Sequence, residues 1–423
     1  MTVRSGDLTV AEGEQPGPPA GGRLTPLLLR RGSTVLVATL LLSVLVLAGQ
    51  QFPVPYLIAS PGISMDTLGE QDGESIIQVD GRENFEHDEA DLSMVTVQYS
   101  GGPGQQVSLL AAIGAWLRPS QAVLPEEAVF PPGSTVEEVT ESQSLQMDSS
   151  QRLAVGAALD QLDIDYDEFP LVAEVLPDMP ATDELEPGDV VTAVDGTEVG
   201  TQAEVVELVT DREPGQSVDL TVLRDEDEVD SVDEVDVSAG EQIELTVDTV
   251  APDEGANSEP DGGQDPETDD VEDTEPGAQV GILVESKMDF PFEVDISVGD
   301  IGGPSAGMMF SLGIMNRLSE EDLTGGHSIA GSGTVQPVVA DEDNPQEREW
   351  EVGAVSGVAQ KMLSAERQGA EYFFVAEGSC PQTEESAAEE IRVVPVETMS
   401  GAMSALESIR AGDDPDSLPR CSG

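Results

Sequence analysis

The chain has 423 residues, with 85 Asp and Glu against 17 Lys and Arg, a formal net charge of -68. A surface of that sign repels a phosphate backbone, so nucleic acid is excluded as a partner. Two histidines (His87, His327), two cysteines and no His-Glu-x-x-His leave no zinc ligand set, and neither lysine follows a glycine as a phosphate-cradling Gly-Lys loop requires; no metal, no ATP and no other cofactor is expected.

Apolar residues make up 38%, below the roughly 45–50% of an ordinary domain. Long stretches still keep apolar periodicity, which leaves room for two or three compact domains of an α/β (α+β) chain. Only two of the basic residues are lysines, Lys287 and Lys361, so chemistry that needs an amine has two candidates.

Residues 1–31 are Gly/Pro-rich and aperiodic, and are expected to form a flexible cytoplasmic tail. Residues 32–49, GSTVLVATLLLSVLVLAG, carry no charge and approach the length of a spanning helix. Arg4, Arg23, Arg30 and Arg31 all precede the run, which places the N-terminus in the cytoplasm and the acidic body outside, as a single-pass plasma-membrane protein. A cleaved signal peptide is the competing reading, since Ala48 and Gly49 are small.

From Pro53 to about Val97, short apolar pieces alternate with turn residues and predict strands; Ser108–Leu117 and Met147–Leu162 have helical spacing. Residues 50–163 are expected to form an extracellular α+β region packed with the domain that follows. Residues 164–250 then read strand, turn, strand, turn, helix, strand through LVAEVLP, LEPGDVVTAVDGTEV, TQAEVVELVTD and SVDLTVLRD, with an acidic insertion at 225–236. This stretch resembles the PDZ domains of bacterial membrane-associated proteases. The resemblance implies a β-sandwich-like fold and a peptide added as a strand, with Leu171, Val172, Ala173 and Glu174 as the docking edge; a spacer without ligand is the alternative. Residues 251–278 hold eleven acids and no base among many Pro and Gly, the composition of a disordered linker.

After the linker, EVDISV leads into Gly302-Gly303-Pro304-Ser305-Ala306-Gly307, and a helical period begins near Ser305. A serine there meets the unpaired N–H groups of a helix start, and Gly302, Gly303 and Ala306 are the loop positions able to supply oxyanion donors. Serine needs a base. Neither histidine stands in a context that suggests a triad, and Lys361, opening KMLSAERQGA after VGAVSGVAQ, is expected to be buried against Met362, Leu363 and Ala365, which lowers an ammonium's pKa.

Gly-Gly-Pro-Ser-Ala-Gly, followed some fifty residues on by a Val-Gly-x-Val-x-Gly-x-x-x-Lys run, resembles the proteolytic domain of Lon proteases over residues 279–412. The resemblance implies a Lon-type α+β domain with Ser305 as nucleophile and Lys361 as general base; Lys287 matches no catalytic position. Lon proteases often carry Thr-Gly-Glu where this chain has Ala330-Gly331-Ser332, so Ser332 and Thr334 are the hydroxyls available to support the lysine. The whole order, one membrane helix, PDZ domain and Lon-type domain without ATPase, resembles PDZ-containing Lon-like proteins of Gram-positive bacteria, as do LPEEAVFPPG, DFPFEV and GDIGGPSAGMMFSLGI.

An ATP-independent serine endopeptidase acting on exported or membrane-associated protein or peptide substrates is therefore expected. A catalytically silent scaffold and a protease that cuts its own 251–278 linker are the alternatives, and Lon-type domains further imply a hexameric homo-oligomer. Residues 340–351 read as an acidic hairpin tip. Cys380 and Cys421, in the latter case within the 413–423 tail, would either bridge in an oxidising exterior or remain two thiols.

Overall fold

The computed structural model describes residues 26–71, 73–87, 90–182, 184–224, 240–251, 277–299, 301–339 and 348–421. The expectations for the tail before residue 26, for the acidic runs over 225–239 and 252–276, and for residues 340–347 of the hairpin tip expected at 340–351 lie outside the described residues, whereas 348–351 belong to a strand, Arg348–Gly353, rather than to a tip.

The first element, α1 (Pro26–Gln51), is longer than the apolar run and takes in Arg30 and Arg31, so the flexible tail cannot extend to residue 31. Proline suits a first helical position because its missing N–H would have no intrahelical partner there. Thr34–Gln51 is long and apolar enough to cross a membrane, a test that a signal sequence also passes. In chain order there follow β1 (Tyr56–Asp66), β2 (Ile77–Asp80), β3 (Asp91–Ser100), α2 (Leu109–Trp116), β4 (Ala122–Pro125) and α3 (Val136–Gln161). Then come β5 (Asp167–Val175), β6 (Val190–Val194), α4 (Gln202–Thr210), β7 (Ser217–Arg224), β8 (Glu241–Asp248), β9 (Ile282–Asp289) and β10 (Glu293–Ile296). The last are α5 (Gly307–Leu318), β11 (Ser328–Ser332), β12 (Thr334–Val339), β13 (Arg348–Gly353), α6 (Val358–Gln368), β14 (Tyr372–Ala376), β15 (Arg392–Val396) and α7 (Met399–Ala411).

A mixed sheet runs β15-β14-β11-β3-β1-β4. Its centre is the parallel pairing of β3 with β11, Leu92 opposite Ile329 and Met94 opposite Gly331. Residues 50–163 therefore do not form a region of their own beside the PDZ unit, as expected; they supply half of the sheet completed by residues 328–396. The antiparallel pair β2 and β10, Ile77 opposite Ile296, ties the same two parts again. Non-local pairing overrode the reading by sequence neighbourhood.

The period-2 alternation of the strands divides the core. Leu92, Met94, Ile329, Phe374 and Val394 face α3, α5 and α7 in one cluster, whereas Val95, Ala330, Phe373 and Val375 face α6 in another. The sheet is thus covered by helices on both faces. Helix α3 begins eleven residues before the expected start at Met147. Thr135 accepts from the Glu138 N–H and the Glu138 carboxylate accepts from the Thr135 N–H, a capping box that opens three polar turns.

The second sheet runs β8-β7-β6-β5-β9. Val172, Val191, Val194, Val205, Val209, Val218, Leu220 and Val284 form its core under α4. Strand β9 pairs along β5, from Ile282 opposite Val175 to Asp289 opposite Asp167. The expected boundaries at 250 and 279 need correction here, because 282–289 complete this sheet. Residues 251–278 accordingly join two strands of one unit, their ends brought together by the bridge between Val250 and Gln279. The PDZ-like sheet is an insertion within the larger α/β domain.

Candidate active site

Three side chains from three elements meet at the open end of the larger sheet. Lys361 Nζ lies 2.9 Å from Ser305 Oγ and 3.0 Å from Ser332 Oγ, donating to both hydroxyls, and Ser332 Oγ donates to the Ser305 carbonyl at 2.9 Å. Ser332 is fully buried and Lys361 is 4% exposed, while Ser305 is half-buried. The nucleophile candidate can be reached from outside; its base candidate cannot.

Helix α6 starts at Val358, three residues earlier than expected, after Gly357 in the left-handed conformation with φ 71. A Cβ at Gly357 would stand 2.6 Å from Val97 Cγ2, so this entry needs glycine twice over. Val358, Met362 and Ala365 form the stripe that packs on the sheet, and Lys361 lies on that stripe by helical spacing. Burial alone pushes its ammonium down to about 8.

Ser305 is not a helix cap. Helix α5 begins at Gly307, its N-cap Ala306 makes no side-chain bond, and the Ser305 hydroxyl is engaged by the lysine. The loop that presents it is clamped from both sides. On one side Gln143 O accepts from the Gly303 N–H at 2.8 Å and Ser150 Oγ donates to Pro304 O at 3.0 Å. On the other, Ser305 O accepts from Ser332 Oγ and from the Gly333 N–H at 3.0 Å, and Gly333 O accepts from the Met308 N–H. Close approach of α5 to β11 depends on Gly331, where a Cβ would stand 2.6 Å from Met309 Sδ.

Several expectations are corrected by this geometry. The Gly303 amide is already spent on Gln143 and is not a free oxyanion donor. Gly302 is exposed beside Gln143. Ala306, buried next to the serine, remains as the loop donor, since no described residue accepts from its N–H. Of the two supporting hydroxyls, Ser332 reaches the lysine; Thr334 pairs with Gly353 in the β12–β13 hairpin and its side chain lies against that glycine. Gln143, Ser150 and Gly333 were missed by sequence reasoning. The signal available was Ser150, a small polar residue on an otherwise apolar helix face.

The histidines are engaged elsewhere: His87 Nε2 with Ser319 O at 3.1 Å and His327 Nδ1 with Glu371 Oε2 at 3.0 Å. Among the described residues no group of three or more His, Cys, Asp and Glu could hold a metal ion. Cys380 and Cys421 are joined in a disulfide that ties the C-terminal segment beside α6.

The expected docking edge, Leu171 to Glu174, is also overturned. Strand β5 is internal: Val172 N–H donates to Asp189 O and Val172 O accepts from Gly188 N–H on one side, while β9 pairs along the other. No backbone remains there for an added strand. The terminal strand next to α4 is β9, with Leu283 exposed on it and Val206 exposed on α4.

Set beside known proteins, residues 152–234 match the PDZ domain family. The PDZ domain of an SdrC-like protein from Listeria monocytogenes aligns at 17% identity over 29% of this chain and 90% of its own, with a TM-score of 0.19. Its counterpart from Listeria innocua aligns at 17% identity over 27% and 92%, with a TM-score of 0.18. A solution structure from Geobacillus thermodenitrificans aligns at 29% identity over 20% and 79%, with a TM-score of 0.16. No curated protein matches the chain. The chain thus contains a PDZ domain, a module that binds proteins or peptides, and β9, which completes its sheet, lies beyond the matched residues.

Proposed function

We propose that the chain is a membrane-anchored, ATP-independent serine endopeptidase that uses Ser305 and Lys361 on exported or membrane-associated proteins, with the PDZ domain presenting substrate. The observation that carries this reading is a buried amine 2.9 Å from a half-buried serine hydroxyl, in a chain with only two lysines. The likeness of GGPSAG and its downstream lysine run to Lon proteolytic domains supports the same roles.

A lysine held near pKa 8 is partly neutral at physiological pH. One of its N–H bonds points to Ser332, whose own proton is directed to the Ser305 carbonyl, and this leaves the amine lone pair for the Ser305 hydroxyl. In the reaction, Oγ attacks the scissile carbonyl as its proton passes to Nζ, and the Ala306 N–H faces the developing oxyanion. The ammonium then protonates the leaving amine, and an acyl-enzyme remains. Water, giving a proton to the neutral amine, attacks the ester, and the proton returns to Ser305 Oγ as the acid departs.

For substrate delivery, the outer edge of β9 beside α4 replaces the edge first expected. A peptide added there would pair its backbone with Ile282–Asp289 and set an apolar side chain between Leu283 and Val206. Strand β9 runs on through β10 into the Ser305 loop, so the bound segment and the dyad share one chain path.

The test is cleavage of an unfolded protein by the full chain in detergent or nanodiscs without ATP. Ser305→Ala and Lys361→Ala should each lower the rate by at least about 10³-fold. Undiminished cleavage by both variants sinks the dyad. A serine-reactive probe separates this reading from a silent PDZ scaffold, which should form no adduct at Ser305.

A further inference from the structure

The acid content of the chain, about one residue in five, is interrupted twice on a large scale: no Asp or Glu occurs between Glu14 and Asp66, the stretch that holds α1, nor between Asp91 and Glu126. Helix α2 lies inside the second window. Its buried stripe is small, Ala112 and Ala115, whereas the positions that face outward are large and apolar: Leu109, Ile113 at 45% exposed, Trp116 at 76% and Leu117 at 69%. The spacing i, i+4, i+7, i+8 places all four on one stripe. The usual arrangement, apolar side inward and polar side to water, is reversed.

The position of this stripe is tied to α1. The Leu109 N–H donates to Phe52 O, one residue past the end of α1, and Pro53–Val54 pairs with Val107–Ser108. The last turn of α1 packs directly on α2, since a Cβ at Gly49 would stand 2.9 Å from Leu110 Cγ. Phe52, 62% exposed, and Tyr56 continue the apolar stripe at the point where α1 ends. Arg118 is the single charge between Asp91 and Glu126 and is also exposed.

We infer that α2 is a membrane-interface anchor: its outward stripe lies in the headgroup and acyl boundary of the bilayer that α1 crosses, with Trp116 and Phe52 at interfacial depth and Arg118 toward lipid phosphates. Amphipathic aromatic side chains favour that depth, and carboxylates are excluded from it, which fits the absence of acid around α2. The anchor holds the larger sheet close to the bilayer through β4, which follows α2 in sequence, and β1, both of which pack against it. This rests on α1 spanning the membrane, as proposed above.

Tryptophan emission tests it. Of the two tryptophans, Trp350 is fully buried, so Trp116 is the one a lipid quencher can reach. The full chain is reconstituted in phosphatidylcholine and phosphatidylglycerol vesicles, with and without lipids brominated near the top of the acyl chain. Bromolipid quenching is expected in the wild type and should fall at least threefold in Trp116→Phe and in the double variant Ile113→Glu/Leu117→Glu, while both variants still float with the vesicles. A chain that floats but shows no bromolipid quenching, with Trp116 open to iodide, overturns the inference and leaves the α1 span intact. Trp116 shielded from both quenchers, together with a concentration-dependent dimer, assigns the stripe to a second copy and also overturns it. Failure of the wild type to float overturns the span and this inference together.

Discussion

Ser332 and Lys361 are coupled through the backbone of the serine they flank: Ser332 Oγ accepts from Lys361 Nζ at 3.0 Å and donates to the Ser305 carbonyl at 2.9 Å. One hydroxyl therefore orients the amine and the peptide unit that carries Ser305. Ser332→Ala should lower kcat about 10- to 100-fold with little change in KM, the scale of a misplaced catalytic group. Because the hydroxyl also accepts from the ammonium, its loss should move the rising limb of the pH profile to lower pH, and Ser332→Thr should recover part of the rate. A loss of kcat with an unmoved pH limb contradicts the orienting role.

Lys361 sets a pH dependence with a defined sign. Its ordinary value of 10.5 is pushed to about 8 by burial, so the rate should rise with pH through about 8 as the amine becomes neutral. Stability follows the same direction. Below the folded value the ammonium is charged in both states and the burial penalty is fully present. Between about 8 and 10.5 the unfolded state binds more protons, so stability rises with pH. Thermal midpoints measured across that window should climb for the wild type relative to Lys361→Met, and parallel curves count against a depressed lysine.

A cut within 252–276 should not separate the chain. Its two pieces share both sheets, through β3 with β11 and through β5 with β9, so self-processing there cannot release the domain as expected from linear order. A specific protease site inserted near residue 262, once cleaved, should give two fragments that co-elute in native buffer and part only in denaturant. Separation in native buffer refutes the interleaved fold.

The disulfide closes a sequence separation of 41. Restricting a loop of that length in the unfolded chain is worth about 3–4 kcal/mol on the entropy model. Cys421→Ser should lower unfolding stability by about that amount in denaturant titrations, with the dyad geometry and its probe labelling kept, since the bridge lies behind α6.

Much of the site is legible in the sequence. Gly302 to Gly307 marked the serine, the scarcity of lysines marked Lys361, and local turn chemistry at Pro187-Gly188-Asp189 and Asp195-Gly196 marked the PDZ strands, because loop glycines, helix stripes and β-turns are properties of a few adjacent residues. Less legible were the partners of those residues. That β5 is internal, that β9 past the acidic run closes the PDZ sheet, and that Gln143 and Ser150 clamp the serine loop all depend on segments more than a hundred residues apart.

The sequence by itself determined the charge of the surface, the apolar run of α1 and the identities of the serine and the lysine. Tertiary structure decided which hydroxyl meets the lysine, which amide is left for an oxyanion, and which strand edge is open. Backbone hydrogen bonds must be satisfied on both sides of an internal strand and at every buried amide. Where each donor spends its bond is a property of the packed chain, not of any stretch of it.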